Sequence, residues 1–137
     1  AGFSNLSIDL IFAIPGQPLA MWEQNIAQAI ALAPEHISSY ALTIEHKTAF
    51  GRWYDKGKLT AVDDDEAATQ LELLMTYMAD ANYAQYEISN FAKPGYQARH
   101  NSSYWRGDHY LGVGPGAHSY NGYSRQYNIA NNHHYIA

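Results

Sequence analysis

Leu6-Ser7-Ile8-Asp9-Leu10-Ile11-Phe12-Ala13-Ile14 is a nearly continuous apolar and β-branched run, closed by Pro15-Gly16. Such a run predicts a strand buried on both faces of a parallel sheet, because a strand with one wet face would alternate apolar and polar residues. Beyond the turn, Pro18 suits the first turn of a helix, and Leu19, Trp22, Ile26, Ile30 and Ala33 recur at helical spacing until Pro34 ends the pattern. His36 to Ile44 returns to strand-like residues. Residues 1–44 therefore read β-α-β, with the right-handed crossover expected of parallel strands.

Further along, Phe50 to Thr60 carries two glycines and several charges and reads as a loop. Asp63 followed by Glu66 has the character of a helix start, with acids set against the positive end of the dipole. Ala67, Leu71, Leu74 and Met78 mark the buried stripe of that helix, and Asn82 is a fitting left-handed terminator. Tyr86 to Phe91 is a short strand candidate. From Ala92 the chain is rich in Gly, Asn, Tyr and His and is expected to be mostly loop, the kind of segment in which function concentrates. Asn131 would cap a last helical turn. The predicted class is α/β, with residues 1–91 forming the sheet-and-helix part and 92–137 a loop-rich extension.

The totals narrow the function. Nearly half of the 137 residues are apolar, enough for a sizeable core, and no apolar run is long enough to cross a bilayer. The start, AGFSNLSID, has no basic region leading into an apolar stretch, so a cytoplasmic location is expected. Net charge is −5 and the eight Lys and Arg are scattered, which gives no footprint for nucleic acid. The chain has no cysteine, so disulfides and thiolate metal sites are excluded within it.

Three features carry chemical interest. Asp9 is a lone carboxylate inside an apolar run, and burying it unpaired would cost several kcal/mol, so it meets either a neighbouring strand or a ligand with hydroxyls or an amine. Gly112-Val113-Gly114-Pro115-Gly116-Ala117 loosely fits a phosphate-binding glycine pattern, but no helix and no later acid follow it, which favours a tight turn with close backbone approach. His100-Asn101-Ser102-Ser103-Tyr104-Trp105 places an imidazole, an amide, a phenol and an indole together, a set able to stack on a flat ring and bond its edge, or to anchor a packed loop. His100, His109, His118, His133 and His134 could each ligate a metal or haem iron, though their spacings form no closed zinc motif. No nucleophile elbow is present to suggest a hydrolase.

SIDLIFAIPGQ, HISSYALTIE, YEISNFAKPGY, HNSSYW and GVGPGAHS, in that order, resemble successive blocks of the HemW haem-chaperone and oxygen-independent coproporphyrinogen III oxidase-like family of radical S-adenosylmethionine (radical SAM) proteins. The blocks span nearly the whole chain. The resemblance implies the later part of a partial (β/α) TIM-like barrel, with S-adenosylmethionine and a 4Fe-4S cluster at the C-terminal ends of the strands. It makes Asp9 the acid that contacts S-adenosylmethionine and Ala41 a backbone contact to it, and it implicates His100, Asn101, Tyr104 and Trp105 in haem binding. It also implies haem or porphyrin as ligand and haem-accepting respiratory proteins as partners. The CxxxCxxC motif of the family is absent, so the cluster ligands would lie outside this chain, which should be inactive in radical chemistry alone. HNSSYW favours the chaperone over the oxidase that decarboxylates coproporphyrinogen III. A cofactor-free binding module built on tyrosine-rich loops is the unrelated alternative.

Overall fold

The computed structural model describes residues 2–137. They form two compact units, Ala1–Gln97 and Ala98–Ala137. The first unit carries β1 (Ser7–Phe12), α1 (Leu19–Ala31), β2 (His36–Ala41), α2 (Ala49–Asp55), α3 (Asp64–Asp80), β3 (Ala84–Gln85) and β4 (Asn90–Ala92). Its sheet has the order β1-β2-β4-β3. β1 and β2 are parallel, in register from Ser7 opposite His36 to Phe12 opposite Ala41, while β2–β4 and β4–β3 are antiparallel.

The predicted β-α-β start is present, and its chemistry explains it. Ile8, Leu10 and Phe12 turn toward a core built on Trp22, Ile26, Ile37, Leu74, Met78 and Phe91. α3 is capped by Asp63, whose side chain accepts from the Glu66 N–H at 2.8 Å, with Asp64, Asp65 and Glu66 against the positive helix end. Asn82 terminates it with φ +62°, as its short polar side chain permits.

In the first unit four expectations are corrected. β1 lies at the sheet edge, and the face that carries Ser7, Asp9 and Ile11 is exposed, so the strand is not buried on both faces. The loop expected over 50–60 begins as helix α2, because Thr48 caps it by accepting from the Gly51 N–H at 3.0 Å. Of the strand expected over 86–91 only Asn90 and Phe91 are strand, in β4, and residues 86–89 are the bend of a hairpin, since β3 ends at Gln85. Gln70, outside the predicted stripe, is fully buried. Its Oε1 accepts from the Ala13 N–H at 2.8 Å and its carbonyl from the Trp22 indole N–H at 2.9 Å. The pair of bonds ties α3 both to α1 and to the residue that leaves β1 in a left-handed conformation, Ala13, with φ +56°.

The second unit carries α4 (Arg99–Arg106), β5 (His118–Tyr120), β6 (Arg125–Tyr127) and α5 (Asn132–Ile136), with β5 and β6 antiparallel. HNSSYW therefore sits on a helix, which Gly107 ends in the left-handed conformation, where a loop was expected. Asn131 caps α5 by accepting from the His134 N–H at 3.1 Å.

Candidate functional sites

Alternation along β1 and β2 gives the sheet one apolar face, toward the helices, and one polar face. Asp9 is on the polar face, opposite Ser38, and is exposed rather than buried. The penalty that made it conspicuous in the sequence is therefore not incurred in this chain. On the same face Ser7 Oγ lies 2.8 Å from His36 Nδ1, and Tyr86 Oη lies 2.8 Å from His36 Nε2, a continuous hydrogen-bonded chain. His36 is buried, which pushes its pKa below the ordinary value, while the charges of Asp9 and Glu87 pull the other way. Glu87 holds the hairpin bend by accepting from the Ser89 N–H at 2.8 Å and from the Asn90 amide. Asp9 also borders a cleft of about 310 Å³ shared with Ile11, Trp22 and Asn25. Ala41 is exposed at the end of β2, opposite Phe12, whose carbonyl accepts from the Leu42 N–H at 2.9 Å. A carboxylate and an open strand end on paired parallel strands can bind hydroxyls, an amine or a cationic centre.

The second unit contains a larger hollow, of about 590 Å³. His100 and Tyr104 are one helical turn apart on α4 and present their rings together, edge to face at 5.1 Å. Tyr104 continues edge to face onto Tyr110, also at 5.1 Å. His118 on β5 and Arg125 on β6 complete the polar lining, and Leu111 and Val113, 82% and 80% exposed, supply apolar wall. Asn101 and Trp105 lie on the adjoining helical face and do not line the hollow, Trp105 being 63% exposed.

The glycine-rich run is the floor of this hollow. A side chain at Gly112 would stand 2.1 Å from the His118 carbonyl oxygen, so only glycine permits that approach. Asn128 clamps the turn by donating to the Gly112 and Gly114 carbonyls at 3.2 and 3.0 Å, and Ser119 Oγ accepts from the Gly112 N–H at 2.9 Å. β5 rather than a helix follows, which disposes of the phosphate-loop reading. Asn128 and Arg125 were missed in the sequence, because an isolated Asn and an isolated Arg have no periodicity or motif to mark them.

Among the described residues no three His, Cys, Asp or Glu side chains converge on a metal position. With no cysteine in the chain, the residues present do not fit an iron-sulfur cluster. No described helix is long and apolar enough to cross a membrane.

No family model matches the chain. The "Heme chaperone HemW" of Bacillus subtilis is 43% identical over 135 residues, covering 98% of this chain and 36% of that protein. The Escherichia coli protein of the same name is 41% identical over 118 residues, 85% of this chain and 30% of that one. A Danio rerio "Radical S-adenosyl methionine domain-containing protein 1, mitochondrial" is 37% identical over 113 residues. The chain thus spans about a third of the length of the curated relatives it matches. Among solved structures, coproporphyrinogen III oxidase (HemN) from Escherichia coli, a radical SAM enzyme, superposes with a TM-score of 0.73 over 95% of this chain and 32% of its own. At 19% identity that likeness speaks for the fold, part of a TIM-like barrel. Over nearly all of its length, then, the chain is a HemW-like segment of the radical S-adenosylmethionine family.

Proposed function

We propose that this chain is the haem-binding portion of a HemW-like radical SAM haem chaperone, working in the cytoplasm and handing haem to respiratory proteins. The observation that carries the reading is the hollow of the second unit. Imidazole is a common axial ligand of haem iron, and His100 and His118 both line the hollow. Tyr104, Tyr110, Leu111 and Val113 offer the aromatic and apolar wall a flat macrocycle requires. Asn101 and Trp105, beside the hollow on α4, would contact the rim of a ligand larger than the hollow itself.

S-adenosylmethionine is assigned to the polar face of the first unit. Asp9 would accept hydrogen bonds from its hydroxyls or amine and balance its positive sulfonium, and Ala41 would admit it close to the backbone at the end of β2. The cofactor supplies methionine and adenosyl groups for binding, and radical chemistry would require a cluster held by residues outside this chain. None of the residues described here is assigned a step in coproporphyrinogen oxidation.

Absorbance titration with haem tests the reading. Saturable binding with a shifted Soret band is expected, weakened more than about tenfold in His100→Ala or His118→Ala, according to which imidazole binds iron. Absence of saturable binding, or binding indifferent to both substitutions in folded protein, would overturn it.

A further inference from the structure

Charge is divided unequally between the two units. Twelve of the thirteen acidic residues lie in the first, whereas the second has Arg99, Arg106 and Arg125 against a single acidic side chain, Asp108. Asp108 is already taken, accepting from Arg106 at 2.8 and 3.2 Å. Arg125 has no ion-pair partner among the described residues, and it is the one guanidinium that lines the hollow. It is placed there by β6, where its backbone is opposite Tyr120 in the β5–β6 pair.

We infer that Arg125 is a specificity-determining residue that binds a carboxylate of the ligand, so that the hollow selects a flat ring bearing free carboxylates over the same ring with those groups masked. The inference rests on the haem reading above and adds to it what the imidazoles do not supply. An imidazole recognises iron, and the aromatic wall recognises a ring, but neither distinguishes an acid from an ester. A guanidinium does, because its planar fork donates two parallel hydrogen bonds to a carboxylate and gains charge assistance that an ester cannot return. The hollow's other polar side chains are His100, His118, Tyr104 and Tyr110, and no Asp or Glu lines it. An acidic ligand therefore meets no repulsion within it.

The test compares haem with haem dimethyl ester by absorbance titration, in the unaltered chain and in Arg125→Gln and Arg125→Lys, with circular dichroism to establish that each is folded. Haem is expected to bind about tenfold or more tightly than its diester, the value of a charge-assisted pair. Arg125→Gln should erase that preference while leaving diester affinity unchanged, and Arg125→Lys should restore part of it. Equal affinity for acid and diester in the unaltered chain overturns the inference, as does an Arg125→Gln variant that weakens both ligands alike, which would make Arg125 merely part of the wall. Failure of haem itself to bind overturns the haem reading and this inference with it, whereas haem binding without a preference over the diester overturns this inference alone, so the two failures are distinguishable.

Discussion

The two units solve the problem of stability in different ways. In Ala1–Gln97 two helices and a sheet enclose a core in which Trp22, Ile26, Ile37, Leu74 and Met78 are wholly inaccessible. In Ala98–Ala137 no residue is buried, and the elements are short. A stretch of that size without disulfide or core is near the lower limit of autonomous stability. Its order rests on the Asn131 cap of α5, the left-handed Gly107 that ends α4, a clamped glycine turn and a chain of touching aromatic rings. The difference teaches that one unit is a scaffold whose apolar groups are spent on packing, whereas the other keeps its rings and imidazoles accessible to a ligand.

Trp22→Ala offers the sharpest way to break this contrast. Removing a fully buried indole that also donates to Gln70 should cost about 3–5 kcal/mol, read as a lowered denaturant midpoint. A small loss would mean that the first unit does not depend on its core. Gln70→Leu comes next, at about 1–3 kcal/mol, because the Ala13 N–H would lose its buried acceptor while apolar volume is kept. Gly112→Ala probes the other unit. Its methyl cannot fit beside the His118 carbonyl, so the turn must shift at a cost of roughly 1–3 kcal/mol, and haem affinity should fall while the first unit's unfolding midpoint stays constant.

The smallest effect concerns pH. Burial lowers the pKa of His36 in the folded chain, so the unfolded state takes up a proton first as pH falls. Stability of the first unit should therefore be full above the ordinary imidazole range and decline as pH drops through about 6.5 toward the lower folded value. His36→Phe should flatten that part of the stability profile measured between pH 8 and 5, roughly the range over which imidazole changes charge.

Much of the scaffold was legible because its signals are local. Apolar runs, Asp63 before Glu66 and Asn82 after the α3 stripe each name a physical requirement within a few residues, and the structure uses all of them. The open edge of β1 was not legible, since a run of apolar residues reports what a strand can bury, not which neighbours this chain supplies. Helix α4 was missed for a related reason: HNSSYW has polar residues on every face, and its helix ends at Gly107 without an apolar stripe to announce it. Asp9, His100 and Tyr104 stood out by residue type and context, whereas Ala41 and the ligand expected at each of them entered through resemblance. Arg125 and Asn128 became visible only when the β5–β6 pair brought them to the hollow and its glycine floor.

The central claim is that haem is held by the second unit and not by the polar face of the first. Amide chemical shifts of the whole chain, recorded during titration with diamagnetic zinc protoporphyrin, test it most directly. The account predicts saturable shifts concentrated at His100, Tyr104, Tyr110, Gly112, His118 and Arg125, with β1 and β2 unmoved. Shifts concentrated around Asp9, His36 and Ala41, with the second unit silent, would contradict it.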